Sequence, residues 1–244
     1  MEISLAPAQL TTFSHRYETG SQPMVLYDSR GNLFAVKFAE KVEYGTTGLA
    51  REYIAGGAAE LIDAPAPTTT FVQLTAAALT MDPRIAFADG TRPAPQVTVG
   101  SAFVTNASSP ATPGAFTTVP VEDVAAVFVF NAWVSVGDRH WGNYIIQTTS
   151  FGPRLISVDY ATCLSRGSTP TSIGDPDLIS LLRSARQPVA TYLARLRGVP
   201  ERSLRELIAR VPGSWLASSE RERIARFLID GREETARLVT AAIA

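Results

Sequence analysis

Two stretches of the sequence carry acidic and amide side chains at the spacing that phosphoryl transfer requires. In the first stretch, Asp138 stands five residues before Asn143, with mostly polar residues and a glycine between them. One short loop can aim both side chains at a single phosphate, where an aspartate accepts the proton of the attacking hydroxyl and an asparagine oxygen binds Mg²⁺. In the second stretch, an apolar run over residues 155–158 ends at Asp159, which would share the metal because hard cations prefer oxygen ligands.

The composition limits the classes of protein to which the chain can belong. With 244 residues, 45% of them hydrophobic, it can bury the core of one large domain or of two small lobes. Its net charge of −1 gives no bulk attraction to nucleic acid or to an acidic membrane. Cys163 is the single cysteine, which excludes an intramolecular disulfide and favours a reducing compartment. Without a signal-peptide pattern or a membrane-length apolar run, we expect a cytoplasmic protein with neither nucleic-acid nor membrane partners.

Lysine is rare in this chain, and its position is informative. Only Lys37 and Lys41 are lysines among the 22 basic residues. Where arginine is the habitual choice, a lysine in an apolar strand indicates that a compact ammonium group is needed. Side chains alternate along a strand, so Ala35 and Lys37 share one face. On a face toward a cleft, Lys37 would reach the α- and β-phosphates of a nucleotide; a solvated strand lysine is the alternative.

The first hundred residues are predicted to be rich in short strands separated by turns. The predicted strands are residues 11–17, 24–27, 33–38, 68–75 and 96–104. The first three form an antiparallel meander, and its second turn contains Gly31 and Asn32, which tolerate positive φ. Gly20 and Ser21, in the first turn, can lay backbone N–H groups over phosphates or can simply make a tight turn. Residues 76–95 have an irregular pattern.

A helix predicted over residues 47–62 lies between the third and fourth strands. Thr46 or Thr47 is its expected N-cap, and prolines follow its end. Glu52, within its first turns, can form an ion pair with the strand lysine, and Glu60 is the competing partner. A solvated helix glutamate is the alternative for both.

The second half of the sequence is predicted to be mostly helical. Residues 106–114 are rich in Ser, Pro and Ala, which is typical of a linker between lobes. A buried helix over residues 121–136 leads to Asp138, and a hairpin of strands at 144–147 and 155–158 follows. The remaining helices are predicted at residues 176–186, 188–197, 201–210 and 218–243, with Pro188, Pro200 and Pro212 between them.

The order of these parts is that of protein-kinase-like folds. Residues 137–143, together with 157–159, resemble the HipA-like kinase domain and also phosphatidylinositol kinases, in which an Asp-Arg-His-x-x-Asn loop recurs. Shorter similarities to the HipA-like group occur at residues 20–23, 36–38, 51–56 and 215–216. The resemblance implies an α+β, bilobal protein-kinase-like fold. Residues 1–105 would form an N-terminal lobe with an antiparallel sheet and one helix, and residues 106–244 a mostly helical C-terminal lobe.

The resemblance also implies a catalytic and a metal-binding role for residues of the matching loops. Asp138 would orient or deprotonate the acceptor hydroxyl, while Asn143 and Asp159 would bind Mg²⁺. His140 would either contact the transferred phosphate or buttress the loop through hydrogen bonds, and buttressing is the preferred alternative.

The first half would bind the nucleotide. By resemblance, Lys37 would hold the α- and β-phosphates of ATP, and Glu52 would hold Lys37. The residues implied to cover the phosphates are Gly20, Ser21 and Gln22. The adenine is expected between the lobes, near Ala35 and residues 100–103, where backbone groups can pair with the base.

Two positions depart from the family pattern. Arg51, beside Glu52, stands where many relatives are expected to have asparagine. Asp159 is followed by Tyr160 and Ala161 instead of Phe-Gly, which argues against an activation segment of the protein-kinase kind. Residues 161–175 are instead expected to form a loop that faces the substrate.

Residues and resemblance together predict an ATP- and Mg²⁺-dependent phosphotransferase with a hydroxyl acceptor, for which protein serine or threonine is favoured. A nucleotide-binding pseudokinase or scaffold is one alternative, because the glycine loop is sparse. A small-molecule or lipid kinase and a nucleotidyl transferase are others, since both use the same nucleotide and metal.

Overall fold

The computed structural model describes residues 6–109, 113–136, 140–164 and 176–244. Two sequence predictions fall outside these ranges: the position of Asp138, and most of the expected substrate-facing loop. The bounds of the two lobes, residues 1–105 and 106–244, stay a prediction as well.

Five strands in the first half of the chain form a closed barrel. They are β1 (Ala8–Arg16), β2 (Met24–Asp28), β3 (Leu33–Lys37), β4 (Thr69–Leu74) and β5 (Gln96–Ala102). The order around the barrel is β1-β2-β3-β5-β4, and the predicted antiparallel meander of β1, β2 and β3 is confirmed. The barrel closes through a parallel contact of β1 with β4 that the sequence did not predict. The pairing of β1 with β2 has register irregularities after Leu10 and after Phe13, and residues 8–10 of β1 pair with β4.

The alternation of side chains along β3 separates the barrel core from the outer face. Val36 is fully buried and packs with Met24 and Leu26 inside the barrel. Ala35 and Lys37 lie on the opposite face, toward the second half of the chain. The prediction that these two residues share a face is therefore confirmed.

The turn between β2 and β3 is organised by a carboxylate. Of the two residues that tolerate positive φ, Gly31 adopts it, with φ of +85°, and Asn32 does not. The Asn32 backbone N–H instead donates to Asp28 Oδ1 at 2.8 Å, and its side-chain amide donates to Oδ2 at 2.9 Å. These bonds hold Asn32 in the turn without a left-handed conformation.

The helix α1 (Thr46–Leu61) packs between the barrel and the second half of the chain. The prediction of a threonine N-cap is wrong. The N-cap is Gly45, which makes no side-chain hydrogen bond, and Thr47 lies within the helix. The Thr47 hydroxyl donates to the Trp215 carbonyl at 3.3 Å, so it ties the helix to the second half instead of capping it.

The stretch predicted to be irregular contains a second helix in the first half, α2 (Ala76–Met81). The Thr75 hydroxyl oxygen accepts the Ala78 N–H at 3.1 Å and caps the helix. Ala78 and Leu79 are buried against the barrel core. A capping threonine followed by alanines and leucine, which are strong helix formers, was the local signal for this helix.

The second half adds a small sheet and several helices. They are β6 (Ala107–Ser108), β7 (Tyr144–Thr149), β8 (Gly152–Ser157), the 3-10 helices Pro113–Thr118 and Trp141–Asn143, α3 (Val121–Trp133), α4 (Pro176–Leu182), α5 (Arg186–Gly198), α6 (Glu201–Ala209) and α7 (Ser218–Ala242). Within the predicted linker, β6 pairs with β7, and residues 110–112 lie outside the described residues. Pro188, the first residue of the predicted helix, lies within the first turn of α5, a position at which its missing N–H costs nothing.

The helix α3 forms the centre of the second half. Its residues from Asp123 to Trp133 are all buried, and Trp133 Nε1 donates to the Leu228 carbonyl of α7 at 2.9 Å. The same core extends to α1 through Leu49 and Ile54, so α1 is anchored on both sides. Within the described ranges, no helix is both long and apolar enough to cross a membrane.

Candidate active site

Three charged side chains from distant parts of the sequence meet on the outer face of the barrel. The Lys37 Nζ atom of β3 lies 2.9 Å from Glu52 Oε2 of α1 and 2.7 Å from Asp159 Oδ1, which follows β8. The Lys37 and Glu52 side chains are 11% and 4% exposed, whereas 43% of the Asp159 side chain is exposed. Of the two glutamates that the sequence offered to the lysine, the structure pairs Glu52, and Glu60 is exposed.

These contacts set the protonation states of the three groups. Burial by itself lowers the pKa of Lys37, but the charges of Glu52 and Asp159 outweigh it and raise that pKa. Burial acts to raise the pKa of Asp159, yet the Lys37 ammonium and its hydrogen bond hold it below the usual range. For Glu52, burial dominates and raises the pKa against the opposing effect of Lys37. At neutral pH an ammonium therefore lies beside an ionised, partly exposed carboxylate.

The backbone after β8 turns the Asp159 carboxylate toward the lysine. Asp159 has φ of +66°, in the left-handed region that aspartate enters more readily than most residues. The Tyr160 N–H donates to Glu52 Oε2 at 2.8 Å, the same oxygen that binds the lysine. The Tyr160 ring packs on Phe130 with centroids 5.3 Å apart, and its hydroxyl donates to the Ser157 carbonyl at 2.6 Å. Tyr160 stands where protein kinases have phenylalanine. Its contacts hold the backbone beside Asp159 in place.

The second predicted metal ligand, Asn143, is buried at the end of a 3-10 turn beside β8. Its carbonyl accepts the Val158 N–H at 2.9 Å, which places it next to the chain that leads into the predicted metal-binding aspartate. His140 begins the same turn. Its Nδ1 accepts the Gly142 N–H at 3.0 Å, and its carbonyl accepts the Asn143 N–H at 2.9 Å. These bonds favour buttressing over phosphate contact for His140, although both roles stay predictions.

The turn at Gly20, Ser21 and Gln22 lies outside the lining of the cleft. The Gln22 N–H donates to the Thr19 carbonyl at 3.0 Å, and Gln22 has φ of +44°. The Gln22 side-chain oxygen accepts the Ala88 N–H at 2.8 Å, so it holds the turn against the loop after α2. The residues of this turn region that line the cleft are Tyr17, Thr19 and Pro23. A role for the turn in covering phosphates stays a prediction.

A cleft of about 440 Å³ opens beside the lysine, between the barrel and the second half. This volume lies within the roughly 300–1,000 Å³ of small-molecule sites. Ala35 and residues 101–103, near which the adenine is predicted to lie, line the cleft. Gly100 does not line the cleft. A Cβ added there would lie 3.0 Å from Val72 and 3.2 Å from Phe34, among side chains of the barrel. That glycine allows neighbouring side chains of the barrel to pack closely.

Asn131 supports the site, and the sequence analysis did not identify it. It is 3% exposed on α3, and its Oδ1 accepts the Ser157 hydroxyl at 3.1 Å. Its Nδ2 donates to the Tyr144 hydroxyl at 3.4 Å. Asn131 therefore bridges α3 to the strand that follows Asn143 and to the strand that precedes Asp159. A lone amide in an otherwise apolar helix was the available signal.

The donor set fits a hard divalent cation that takes further ligands from a nucleotide. The predicted ligands Asn143 and Asp159 offer amide and carboxylate oxygens, which suit Mg²⁺ better than soft metals. In the parts of the chain that the structure describes, no group of three or more His, Cys, Asp or Glu side chains is arranged to hold a metal alone. An Mg²⁺ ion bound with phosphates needs no such cluster, because phosphate and water oxygens complete its shell.

Comparisons with known proteins agree with this geometry. Residues 11–239 match the family model described as HipA-like kinase, while no curated protein matches the chain in sequence. The Helicobacter pylori proinflammatory kinase CtkA is similar with a TM-score of 0.57 and 14% identity, over 96% of this chain and 95% of that one. The Golgi casein kinase with Mn/ADP bound gives a TM-score of 0.59 and 12% identity, over 96% and 74%. At these identities the likeness shows the fold, and it confirms the predicted kinase-like α+β architecture.

Proposed function

This chain belongs to the HipA-like kinase family, and from that membership we propose that it transfers the γ-phosphate of ATP to a hydroxyl group with the help of Mg²⁺. The observation that carries the proposal is the Lys37 ammonium, shared between Glu52 and Asp159 at the edge of the cleft. A solvated strand lysine, the alternative left open by the sequence, would not be 11% exposed and bonded to two carboxylates.

Each side chain contributes one interaction to the proposed transfer. The Lys37 ammonium binds oxygens of the α- and β-phosphates, and Glu52 holds the ammonium in place. Asp159 and Asn143 hold the Mg²⁺, which supplies positive charge where negative charge develops on the phosphates. Asp138 accepts the proton of the acceptor hydroxyl. The hydroxyl oxygen bonds to the γ-phosphorus at the same time, and ADP departs.

The adenine is proposed to lie at the end of β5. The N–H groups of Ala102 and Phe103 already donate to the Thr68 and Leu33 carbonyls, at 2.8 and 2.9 Å. Base contacts by backbone N–H groups would therefore fall from Val104 onward, a residue that also lines the cleft. The Golgi casein kinase, whose structure contains Mn/ADP, has a similar fold, which supports a nucleotide and a divalent metal as cofactors.

The proposed acceptor is a serine or threonine hydroxyl of a protein. The net charge of −1 provides no attraction to anionic lipid, which argues against a lipid headgroup. A small-molecule kinase or a nucleotidyl transferase would use the same Lys37 and metal ligands, and a pseudokinase would bind the nucleotide without transfer. These alternatives differ in the part of ATP that is transferred, if any is, and in the class of molecule that accepts it.

The test uses the full chain with Mg²⁺ and ATP labelled at either the α- or the γ-phosphate, with a cell extract as the source of acceptors. Transfer of γ-label to protein is expected for the wild type. Lys37→Met should abolish it, whereas Lys41→Met, which removes a surface ion pair with Asp89, is the matched control and should retain it.

The other outcomes assign the alternatives. α-Label on protein would identify a nucleotidyl transferase, and γ-label on small molecules or lipids would move the acceptor to those classes. ATP binding without transfer of either label would leave a pseudokinase. Transfer that survives Lys37→Met would contradict the role given to the lysine.

A further inference from the structure

Arg51, the residue before Glu52 on α1, is buried with an incomplete set of partners. Its side chain is 7% exposed, and its Nη2 lies 3.6 Å from Glu220 of α7. Its Cζ lies 4.8 Å from the centre of the Tyr44 ring. The Nε and Nη1 atoms are enclosed, and neither has a hydrogen-bond partner among the described residues. Burying unbonded donors of a charged group is costly, so this guanidinium requires a further acceptor.

The carboxylate nearest to Arg51 is already engaged elsewhere. Glu220 Oε1 lies 2.7 Å from Arg223 Nη2, and its Oε2 accepts from Arg223 Nε at 2.8 Å. The hydrogen bond from Arg223 also lowers the pKa of Glu220, which is therefore ionised at neutral pH. Two guanidinium groups therefore share the Glu220 carboxylate, and the contact of Arg51 with it is the longer one, at 3.6 Å.

The N-terminus of α1 lies against the same guanidinium. The helix begins after Gly45 with no side-chain cap and no acidic residue in its first turn, and the Thr47 N–H donates to the Tyr44 carbonyl at 3.1 Å. Tyr44 directly precedes this N-cap, and its half-exposed ring lies over Arg51. Tyr44 has φ of +66°, a strained conformation for a bulky residue. A helix N-terminus beside an underbonded arginine is an arrangement that binds phosphate groups.

We propose that Arg51 and the N-terminus of α1 form a binding site for a phosphate group, over which the Tyr44 ring lies in this structure. The ligand is inorganic phosphate or a phosphate monoester, since both present charged oxygens to Nε and Nη1. Those oxygens would satisfy donors that a ring face does not satisfy. Neither Arg51 nor Tyr44 lines the nucleotide cleft, so the site is separate from it and does not rest on the proposed kinase activity.

The test is the dependence of Tm on sodium phosphate at constant ionic strength. Phosphate should raise the Tm of the wild type, and Arg51→Gln should weaken binding by at least about tenfold, the loss of one charge-assisted hydrogen bond. Arg226→Gln, which removes an exposed arginine of α7, controls for charge and should keep the response. No response in the wild type, or an unchanged response in Arg51→Gln, overturns the proposal.

Tyr44→Ala gives a second measurement that does not depend on the folding of the Arg51 variant. Without the ring, phosphate binding should tighten about two- to fivefold, the equivalent of a surface cation–π contact. Unchanged or weaker binding in Tyr44→Ala would count against the site. Titration with a phosphoserine peptide identifies the source of the ligand: tighter binding than inorganic phosphate indicates a phosphorylated protein segment, and similar binding indicates free phosphate. Either result supports the site.

Discussion

The backbone N–H of Tyr160 donates to Glu52 Oε2 at 2.8 Å, across 108 residues of sequence. This bond ties α1 to the chain that directly follows the Asp159 carboxylate. Because the Lys37 ammonium binds the same oxygen, one carboxylate fixes the lysine, the helix and the turn after β8 relative to one another. A shift of α1 would therefore disturb both sides of the cleft.

Glu52→Gln is expected to destabilise the protein and, on the proposed function, to weaken ATP binding. The glutamine amide oxygen can still accept the Tyr160 N–H. The substitution, however, removes a negative charge that holds Lys37. Losing one partner of a buried ion pair costs about 3–5 kcal/mol. Because Lys37 keeps its bond to Asp159, we expect a loss of about 1–3 kcal/mol, the cost of an unsatisfied buried group. Urea unfolding at pH 7 measures this loss.

Glu60→Gln is the matched control for this prediction. Glu60 lies on the same helix but is exposed, so its replacement should change the free energy of unfolding by less than about 0.5 kcal/mol. If both variants lose the same free energy of unfolding, the contact of Glu52 with Lys37 does not contribute to stability.

The acid stability of the protein is expected to depend on Asp82. Its carboxylate accepts hydrogen bonds from Arg84 and from the Phe13 N–H, the latter at 3.0 Å, and the bond with Arg84 is the main cause of a pKa well below the usual range. A carboxylate with a lowered folded-state pKa stabilises above its unfolded pKa of about 3.9, and this contribution is lost as the pH falls toward the folded value.

Asp82→Asn should therefore be less stable than the wild type at pH 7, and the difference should shrink between about pH 5 and pH 2. Free energies of unfolding, measured by urea titration across this range, check the prediction. Two curves that run parallel through the acid range would show that Asp82 is not the titrating group.

The single thiol reports on the integrity of the chain after β8. Cys163 is 0% exposed, and burial raises its pKa well above the ordinary value. A buried, protonated thiol reacts only when the structure opens, and opening takes a large share of the ~5–15 kcal/mol that unfolding a domain costs. Labelling with a disulfide reagent at pH 8 should therefore be about three orders of magnitude slower than in urea-unfolded protein. Rapid labelling of the folded protein would contradict this packing.

Local patterns in the sequence were sufficient to predict the elements that carry the site. The alternation along β3 placed Lys37 on the face of Ala35, and apolar runs marked both strands of the hairpin that ends at Asp159. Spacing alone left Glu52 and Glu60 as possible partners of the lysine, and only the family resemblance indicated Glu52. That choice depends on how α1 is rotated against the barrel, which long-range packing determines and local spacing does not.

Features built from long-range contacts could not be predicted. Neither the parallel pairing of β1 with β4 nor the register irregularities in β1 leave a local sequence pattern. The Gln22 side chain bonds to Ala88, and only the folded loop after α2 brings the two together. For Asn131, a polar residue in an apolar helix signalled a buried hydrogen bond, but its partners lie on strands that follow later in the sequence.

Asn131 and Ser157 are expected to act as a coupled pair. The Ser157 hydroxyl donates to Asn131 Oδ1 at 3.1 Å in the core, and both residues are at most 3% exposed. Asn131→Ala leaves a buried hydroxyl without this acceptor, and Ser157→Ala leaves a buried amide oxygen without this donor. Each change should cost about 1–3 kcal/mol. The double variant should cost less than the sum by about 0.5–3 kcal/mol, because the shared bond is lost only once.

The control cycle combines Asn131→Ala with Thr80→Ala. Thr80 is exposed on α2 and donates within its own helix, so the two losses should add to within about 0.5 kcal/mol. The kinase assay adds a second readout. Because Asn131 bridges α3 to the strands that adjoin Asn143 and Asp159, its loss should lower kcat more than it raises the KM for ATP. If the losses for Asn131 and Ser157 add and kcat is unchanged, the two side chains stabilise the protein independently and the proposed coupling between them is wrong.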